Sequence, residues 1–313
     1  MKKIVVLGSF VTDLVARMPR FPSAGESVIG TSFSTFLGGK GANQCVAIKR
    51  LKGKVTMIGE VGKDLFGDNF LKLFKEEGID TSYILRTDKA STGVGNVQIE
   101  DSGQNRICII LGANLEFTLT DLEKVKDIIV KHDIFLTQFE MREDVTLEAI
   151  KFAKEHGLLT IVNPAPARKI KEEYLKYIDY LTPNEYELGL LTDMPTTNLQ
   201  ECLLASKKLC TQGVKNVITT WGSKGAILVN DVIKAHVHSY KVKPIDTVGA
   251  GDSFNGALAR SLADNKDIIS AIKFGNAMGA LTTTKRGAIP SLHTLEEVEA
   301  FIDSNPEIEV TYL

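Results

Sequence analysis

The stretch Asp246-Thr-Val-Gly-Ala-Gly-Asp252-Ser-Phe-Asn-Gly-Ala-Leu258 joins a glycine-containing turn to a helical pattern. Phe254, Leu258 and Leu262 recur at helical spacing, which predicts a helix that begins near the second glycine. The first N–H groups of such a helix have no intrahelical partner, and its dipole places about half a positive charge at that end. The segment therefore suits a site where negative charge develops.

Asp252 is an unusual residue for a helix end that only binds phosphate, because its charge would repel the phosphate. A carboxylate there suits the removal of a proton from an attacking hydroxyl. Gly249 and Gly251 let the backbone approach a ligand without a Cβ in the way. Aspartate is also a common helix cap, so this segment alone leaves both interpretations open.

Composition limits the class of protein. The chain has 313 residues, of which 43% are hydrophobic and 24% charged, and its net charge is −2. This balance argues against a nucleic-acid-binding protein, which would carry a basic excess. The four cysteines have no metal-type spacing and indicate reduced thiols, so we expect a cytoplasmic protein. The apolar run at the N-terminus is too short for a signal sequence, and no run is long enough to span a membrane.

Strand-like apolar runs alternate with helix-like segments through most of the chain. Several runs are continuously apolar, which is typical of parallel strands covered on both faces. This order predicts an α/β fold, a doubly wound and mostly parallel sheet with helices on both faces, in a single domain over residues 1–313. The predicted strands are Lys3–Gly8, Val55–Gly59, Asp133–Gln138, Leu158–Asn163, Tyr180–Pro183 and Asn216–Thr220. The predicted helices are Gly41–Leu51, Leu65–Glu77, Leu119–Lys131, Val145–His156 and Leu199–Gln212, with three more near Asp252–Leu262, Ile268–Thr284 and Thr294–Asp303.

Two insertions interrupt this order, and we expect them to form a small β-sheet lid. Residues 14–37 contain prolines and show strand-type alternation. Residues 92–111 are typical of a hairpin, Val94–Ile99 and Asn105–Leu111, joined by Asp-Ser-Gly-Gln. Both fall on the side of the sheet where open α/β folds bind ligands. An exposed β edge or face needs a partner, so we also expect a homodimer formed through the lid.

A second glycine cluster, Gly38-Gly-Lys-Gly-Ala-Asn43, argues against two common nucleotide motifs. A Walker loop requires Gly-x-x-x-x-Gly-Lys-Ser/Thr, but Ser34 stands at the first glycine and Gly41 follows Lys40. No Gly-x-Gly-x-x-Gly follows the first strand either, which disfavours a dinucleotide-dependent dehydrogenase.

Together, Gly38–Asn43 and Asp246–Asp252 resemble the two signatures of the ribokinase family of carbohydrate kinases. Further similar segments follow in family order over nearly the whole chain: Gly8-Ser9 with Asp13, Pro22–Glu26, Ser91–Gly93, Gly112–Asn114, Asn163–Ala167, Thr182–Glu185 and Gly222–Gly225. The resemblance implies a ribokinase-like fold and transfer of the γ-phosphoryl group of ATP to the primary 5-hydroxyl of a pentose, D-ribose being the expected acceptor. The alternatives are a deoxyribokinase or another sugar or nucleoside kinase and, from a different class, a non-catalytic sugar-binding regulator. The presence of Asp252 and both glycines counts against the regulator.

The resemblance also implies roles for individual residues. Asp252 is the implied general base, and the N–H groups of Gly249, Ala250, Gly251 and Asp252 form the implied anion hole. The implied sugar-binding residues are Asp13, Gly39, Lys40, Gly41, Asn43, Glu140 and Asp252. The implied nucleotide-binding residues are Asn184, Thr220, Trp221, Gly222, Ser223, Lys224, Gly225, Gly251 and Asn276, with Glu187 governing Mg²⁺ indirectly. The implied ligands of a monovalent cation, K⁺, are Asp246, Val248, Thr282, Lys285, Gly287 and Ser291; oxygen ligands that are mostly neutral suit such an ion.

One position departs from the family pattern. Many members carry Gly-Ser-x-Asn-x-Asp after the first strand, and that asparagine contacts the sugar; here Val11 takes its place. Valine can neither donate nor accept a hydrogen bond, so the pocket could favour a sugar that lacks a hydroxyl, such as deoxyribose. Alternatively, Thr12 or a water molecule supplies the bond. The sequence leaves both possibilities open.

Overall fold

Fourteen strands form two sheets in the computed structural model, which describes residues 1–313. They are β1 (Lys3–Leu7), β2 (Val11–Met18), β3 (Ser32–Gly38), β4 (Lys54–Gly62), β5 (Ile84–Thr87), β6 (Gly93–Glu100), β7 (Asn105–Ile110), β8 (Ile134–Thr137), β9 (Leu159–Val162), β10 (Tyr180–Leu181), β11 (Asn216–Thr220), β12 (Ala226–Val229), β13 (Lys234–Val237) and β14 (Val310–Tyr312). The main sheet has the order β14-β13-β12-β11-β10-β9-β8-β1-β4-β5. Neighbours from β11 to β5 are parallel, whereas β12, β13 and β14 add an antiparallel edge. The sheet is therefore mostly parallel, as predicted.

Helices cover both faces of the main sheet, which confirms the doubly wound arrangement. They are α1 (Lys40–Arg50), α2 (Leu65–Glu76), α3 (Leu119–Ile129), α4 (Glu143–Glu155), α5 (Glu172–Leu175), α6 (Glu185–Thr192), α7 (Leu199–Thr211), α8 (Ala250–Ala263), α9 (Ile268–Thr282) and α10 (Leu295–Asp303). In β1, Ile4 and Val6 pack in the core that includes α1 and α8, whereas Val5 and Leu7 pack in the core that includes α3 and α4. Successive strand residues point to opposite faces, so a strand buried on both faces is continuously apolar. None of these helices combines the length and the apolar character that crossing a membrane requires.

The elements absent from the sequence prediction are short or lie at an edge. They are the lateral strand β5, the edge strands β12 to β14 and the short helices α5 and α6. Apart from α6, which has eight residues, each of these elements has three or four, too few for a recognisable periodicity, and the pairing of the strands depends on neighbours that the sequence does not show. The predicted strands and helices are all present, with ends that differ by up to three residues.

The second, smaller sheet has the order β3-β2-β6-β7 and contains the predicted hairpin β6–β7. β2 begins at Val11 instead of near residue 14, so Val11 and Asp13 belong to the root of this sheet, directly after β1. Asn114 ties that root to the core, because its side chain accepts a hydrogen bond from the Phe10 N–H and donates one to the Phe10 carbonyl, both at 2.8 Å. We refer to this four-stranded sheet as the lid.

Candidate active site

The N-terminus of α8 carries free backbone donors that face open space. Gly249 precedes the helix with φ of 79°, a conformation that favours glycine. The N–H groups of Gly251 and Asp252 have no acceptor within the protein. A Cβ on Gly251 would meet no atom within 4 Å. Two free donors and the positive end of a helix dipole therefore point toward a place that an anionic group can enter.

Two amides of α1 hold the carboxylate of Asp252, which is 7% exposed. Its Oδ2 accepts a hydrogen bond from Asn43 Nδ2 at 2.8 Å, and its Oδ1 accepts one from Gln44 Nε2 at 3.0 Å. The two helices approach this closely because Gly256 faces α1: a Cβ there would lie 2.6 Å from the Cβ of Ala47. The two glycine-rich segments of the sequence thus meet at one carboxylate.

A second carboxylate, Glu140, anchors the start of α1. Its Oε2 accepts hydrogen bonds from Ser9 Oγ at 2.6 Å and from the Lys40 N–H at 2.9 Å. The Gly41 N–H donates to the same Ser9 hydroxyl at 3.3 Å, and a Cβ on Gly41 would lie 2.3 Å from the Ser9 nitrogen. Glu140 is therefore a buried residue whose side chain is fixed through Oε2, whereas its Oε1 makes no hydrogen bond within the protein.

Asp13 reaches the same region from the lid. A Cβ on Gly95 would lie 2.3 Å from Asp13 Oδ1, and one on Gly38 would lie 3.2 Å from Oδ2, so glycines on both neighbouring strands make room for this carboxylate. Asn43 Oδ1 is buried nearby, 3.8 Å from the same Gly38 position, and has no hydrogen-bond partner. A buried acceptor without a donor is unfavourable, and a hydroxyl-rich ligand would satisfy it.

The charges of four carboxylates act on the buried side chain of Lys40, although none of them forms an ion pair with it. Burial lowers the pKa of Lys40, but the charges of Asp252, Glu140, Glu187 and Asp13 outweigh that effect, so its pKa is raised. Burial, with the charges of Glu140 and Asp252, raises the pKa of Asp13 to about 6, although Lys40 opposes this. The pocket therefore holds excess negative charge around one persistent cation.

Two of the segments predicted to bind the nucleotide, Asn184 and Thr220–Gly225, meet at the N-terminus of α6. Asn184 caps this helix: its Oδ1 accepts from the Glu187 N–H at 2.8 Å, and Glu187 Oε2 accepts from the Asn184 N–H at 2.9 Å. Burial raises the pKa of Glu187. The Thr220 N–H donates to the Pro183 carbonyl at 2.9 Å, which places the end of β11 beside this cap.

The turn after β11 is held from two sides. The Trp221 N–H donates to the Gly225 carbonyl at 2.7 Å across the 3₁₀ turn Gly222–Lys224. The Lys224 ammonium lies 4.0 Å from the centre of the Trp221 ring, while His236 Nε2 donates to the Lys224 carbonyl at 2.8 Å.

Asn276 has a structural role in this region. Its Nδ2 donates to the carbonyl groups of Val237 and His238, each at 3.0 Å, which ties α9 to the end of β13. Both amide hydrogens are thereby used, so a contact with adenine would have to use Oδ1.

Most residues predicted to bind a monovalent cation lie in two loops that are bonded to each other. Asp246 Oδ2 accepts from the Gly287 N–H at 3.0 Å, and its Oδ1 accepts from the Val248 N–H at 3.1 Å. Thr282 is fully buried, and its Oγ1 has no partner. The Lys285 side chain instead lies near Glu297 at 3.3 Å, so only its backbone is available. Ser291 Oγ donates to the carbonyl of Ala288 at 2.7 Å.

The arrangement of these elements is shared with known proteins. A family model described as pfkB family carbohydrate kinase matches residues 1–295. The chain belongs to this family.

The similarity to curated relatives extends over almost the whole length of the kinase. It is 38% identical to a ribokinase of Staphylococcus aureus over 298 residues, 95% of this chain and 98% of the relative. It is 33% identical to a deoxyribokinase of Salmonella typhi over 303 residues, 96% of this chain and 99% of the relative.

Solved structures agree with the fold of the kinase. A ribokinase of Thermotoga maritima superposes with a TM-score of 0.89 at 36% identity, covering 97% of this chain and 100% of that one. A ribokinase of Arabidopsis thaliana complexed with ribose and ATP superposes with a TM-score of 0.90 at 30% identity, covering 97% and 99%.

The sequence interpretation missed one central residue of the kinase site, Gln44. The signal was present: α1 continues after Gln44 with Cys45, Val46 and Ala47, all buried. A glutamine at the start of a buried apolar run must have hydrogen-bond partners, and here Asp252 is one of them.

Proposed function

We propose that this kinase transfers the γ-phosphoryl group of ATP to the 5-hydroxyl of D-ribose, giving ribose 5-phosphate and ADP. The observation that carries the proposal is the Asp252 carboxylate, held by Asn43 at 2.8 Å beside the free N–H groups at the start of α8. Relatives named ribokinase, one of them complexed with ribose and ATP, support the choice of both substrates.

In the proposed reaction, Asp252 takes the proton of the 5-hydroxyl while that oxygen attacks the γ-phosphorus. The new O–P bond forms as the bond from the γ-phosphorus to the bridging oxygen breaks, and its electron pair leaves with ADP. Developing charge on the transferred oxygens meets the N–H groups of Gly249, Gly251 and Asp252. The Ala250 N–H, which makes a long bond of 3.3 Å to Thr247, supplements them. Positioning and charge stabilisation do most of the work in such a transfer.

The sugar pocket combines acceptors from three elements. Asp13, Glu140 Oε1 and Asn43 Oδ1 are available to hydroxyl donors, and Gly39 to Gly41 provide the backbone that approaches the sugar. Hydrogen bonds from hydroxyls to ionised or buried acceptors are stronger than average, so the pocket favours a polyol over an apolar alcohol.

On the nucleotide side, we propose that Asn184 and the segment Thr220–Gly225 contact ATP, with Glu187 acting on Mg²⁺ indirectly. No group of three or more histidine, cysteine or acidic side chains in the structure could hold a metal ion by itself. That fits an ion bound chiefly by nucleotide phosphates and water, a common mode for Mg²⁺. When bound, it neutralises phosphate charge.

We also propose that K⁺ binds beneath the anion hole. The unpaired, fully buried Thr282 Oγ1 and the Asp246 carboxylate provide oxygen atoms of the type this ion prefers. The loops that meet there include Val248 and Gly287, so the ion would stabilise the turn that leads into α8.

A second candidate acceptor is 2-deoxyribose, and Val11 favours it. Val11 and Asp13 lie on the face of β2 that looks toward Gly95, whereas Thr12 lies on the opposite face. Thr12 lines a separate cavity with residues of α2 and therefore does not replace the missing asparagine. The similarity to a Salmonella typhi deoxyribokinase supports this candidate.

The lid supports the proposal of a homodimer in which each lid packs on a second copy of the chain. Ile107 and Ile109 of β7 are 55% and 49% exposed. They pair with Val97 and Gly95 of β6, so they share the lid face of Asp13. Ile107→Glu should convert the dimer to a monomer in light scattering, while Arg106→Glu on the opposite face should not. A monomeric wild-type protein would contradict this arrangement.

The direct test of function is ATP consumption with ribose, 2-deoxyribose, fructose and nucleosides as acceptors. We expect the two pentoses to have the highest kcat/KM. Preference for a nucleoside or fructose would overturn the proposed substrate class.

A further inference from the structure

We infer that Gln44 is a positioning residue for phosphoryl transfer, which fixes the plane of the Asp252 carboxylate through a chain of buried amides. The inference rests on the proposed role of Asp252 as the base.

Gln44 uses every polar atom of its side chain within the protein and is 0% exposed. Its Nε2 donates to Asp252 Oδ1 at 3.0 Å and to Asn163 Oδ1 at 3.1 Å. Its Oε1 accepts from Gln138 Nε2 at 2.6 Å. The side chain therefore has no unpaired polar atom, and it connects these three residues.

The Asp252 carboxylate determines which end of the Gln44 amide faces it, because a carboxylate only accepts hydrogen bonds, and the Gln44 oxygen then faces Gln138 Nε2. If the Gln44 amide were reversed, its oxygen would face the Asp252 carboxylate and its nitrogen would face the Gln138 nitrogen, with repulsion at both ends. Gln138 is itself confined, because its Oε1 would lie 2.4 Å from a Cβ on Gly8. Glycine at position 8 thus leaves the space that the Gln138 amide occupies.

The chain of amides connects the base to the sheet. Gln138 directly follows β8 and Asn163 directly follows β9, both of which are buried strands of the main sheet. Asn163 also donates to the Thr182 carbonyl at 3.1 Å after β10. Three strand ends therefore support the one side chain that holds Asp252 Oδ1.

The two amides that hold the oxygens of Asp252 differ in whether they retain an unpaired polar atom. Asn43, on Oδ2, retains an unpaired Oδ1 and so can respond to the sugar. Gln44, on Oδ1, has no free atom and cannot respond. Without Gln44, the carboxylate would keep one hydrogen bond and could rotate about its last side-chain bond. Misplacement of a reacting group slows the chemical step more than it weakens substrate binding.

The test compares variants of nearly equal size. Gln44→Met removes both donors and should lower kcat about 10- to 100-fold, the expected effect of losing a hydrogen bond to a charged group. The KM values for ATP and sugar should stay within about threefold, because Gln44 contacts neither proposed substrate site directly. Gln44→Glu keeps the shape without the donor and should lose at least as much. Gln138→Met leaves the donor in place but unsupported, so its kcat should lie between those of Gln44→Met and the wild type.

The outcomes distinguish the positioning role of Gln44 from the proposed role of Asp252 as the base. The positioning role is wrong if Gln44→Met keeps kcat within threefold of the wild type. It is also wrong if this variant raises the KM for the sugar instead of lowering kcat. If Asp252→Asn turns over normally, the proposed base is wrong whatever the Gln44 variants do. Should Gln44→Met fail to fold, Gln44→Glu and Gln138→Met decide by the same criteria.

Discussion

Asn43 Nδ2 lies 2.8 Å from Asp252 Oδ2, and this hydrogen bond joins two residues 209 positions apart in the chain. It connects the sugar-side segment at the start of α1 with the phosphoryl-side segment at the start of α8. In the proposed reaction, the acceptor hydroxyl and the γ-phosphate would meet where these two helix ends converge. Any change in the distance between the helices should alter catalysis as well as stability.

Gly256→Ala should destabilise the kinase by about 1–3 kcal/mol, because the new Cβ would overlap Ala47 and force α8 away from α1. Gly279→Ala is the matched control: it lies in α9, where a Cβ would make only ordinary contacts, the nearest at 3.4 Å. The control should be neutral or more stable by up to about 1 kcal/mol, since alanine favours helix. Denaturant unfolding measures both. Equal effects would contradict the packing argument.

Asp252→Asn should lower kcat by roughly 10²- to 10⁴-fold, since asparagine cannot accept the proton. ADP binding should remain close to that of the wild type. Trp221 is the only tryptophan of the chain and lies in the proposed nucleotide turn, so its fluorescence reports that binding. A kcat within fivefold of wild type would remove Asp252 as the base.

Val11→Asn should raise the ratio of kcat/KM for ribose over 2-deoxyribose about 3- to 10-fold, which corresponds to one added hydrogen bond. Val11 is 3% exposed, so the new amide has few partners other than the sugar. Val11→Leu, of similar size but without polar atoms, should leave the ratio unchanged. An unchanged ratio in the asparagine variant would show that position 11 does not determine the choice of sugar.

Asp13→Asn should stabilise the ligand-free kinase at pH 7.5. Burial raises the folded-state pKa of Asp13 to about 6, above the ordinary aspartate value of 3.8. Between these pH values the folded state binds more protons than the unfolded state, so this carboxyl lowers stability as pH rises from about 4 to 6 and keeps it lower above that. We expect a gain on the order of 1 kcal/mol at pH 7.5, after allowing for partial exposure, and almost none at pH 3.5. Thermal melts at both pH values test this; a gain of equal size at both would refute the electrostatic explanation.

Replacing K⁺ with tetramethylammonium at constant ionic strength should lower activity several-fold, because the turn that precedes α8 would lose its proposed support. Thr282→Val removes the buried hydroxyl, and the response of this variant to K⁺ should be weaker. Activity that is unaffected by the exchange would exclude a role for the cation.

Local sequence pattern was sufficient to predict the long helices and the parallel strands β1, β4 and β8 to β11 of the main sheet. Residues 4–7 of β1 are buried on the two faces of the sheet, so all four are apolar and the run is visible without knowledge of its neighbours. The edge strands β12 to β14 were not visible in this way, because their pairing depends on adjacent chain segments. Asp252 was a candidate from its local sequence, as a carboxylate beside glycines at the start of a helix, but only the resemblance to a known family favoured the base over a helix cap.

The contacts of that carboxylate could not be read from the sequence. Gln44 and Asp252 are separated by 208 positions, and only the packing of α1 against α8 through Gly256 brings them together. The same holds for Thr12, one of the two sources predicted for the hydrogen bond of the missing asparagine: the pairing of β2 places its side chain on the face opposite to that of Val11. The sequence by itself therefore determined the layered α/β architecture, because that depends on local periodicity, and its motifs identified candidate site residues through their resemblance to those of a known family. The tertiary structure alone decided which side chains are hydrogen-bonded to each other, because these contacts depend on the packing of segments that are distant in the sequence.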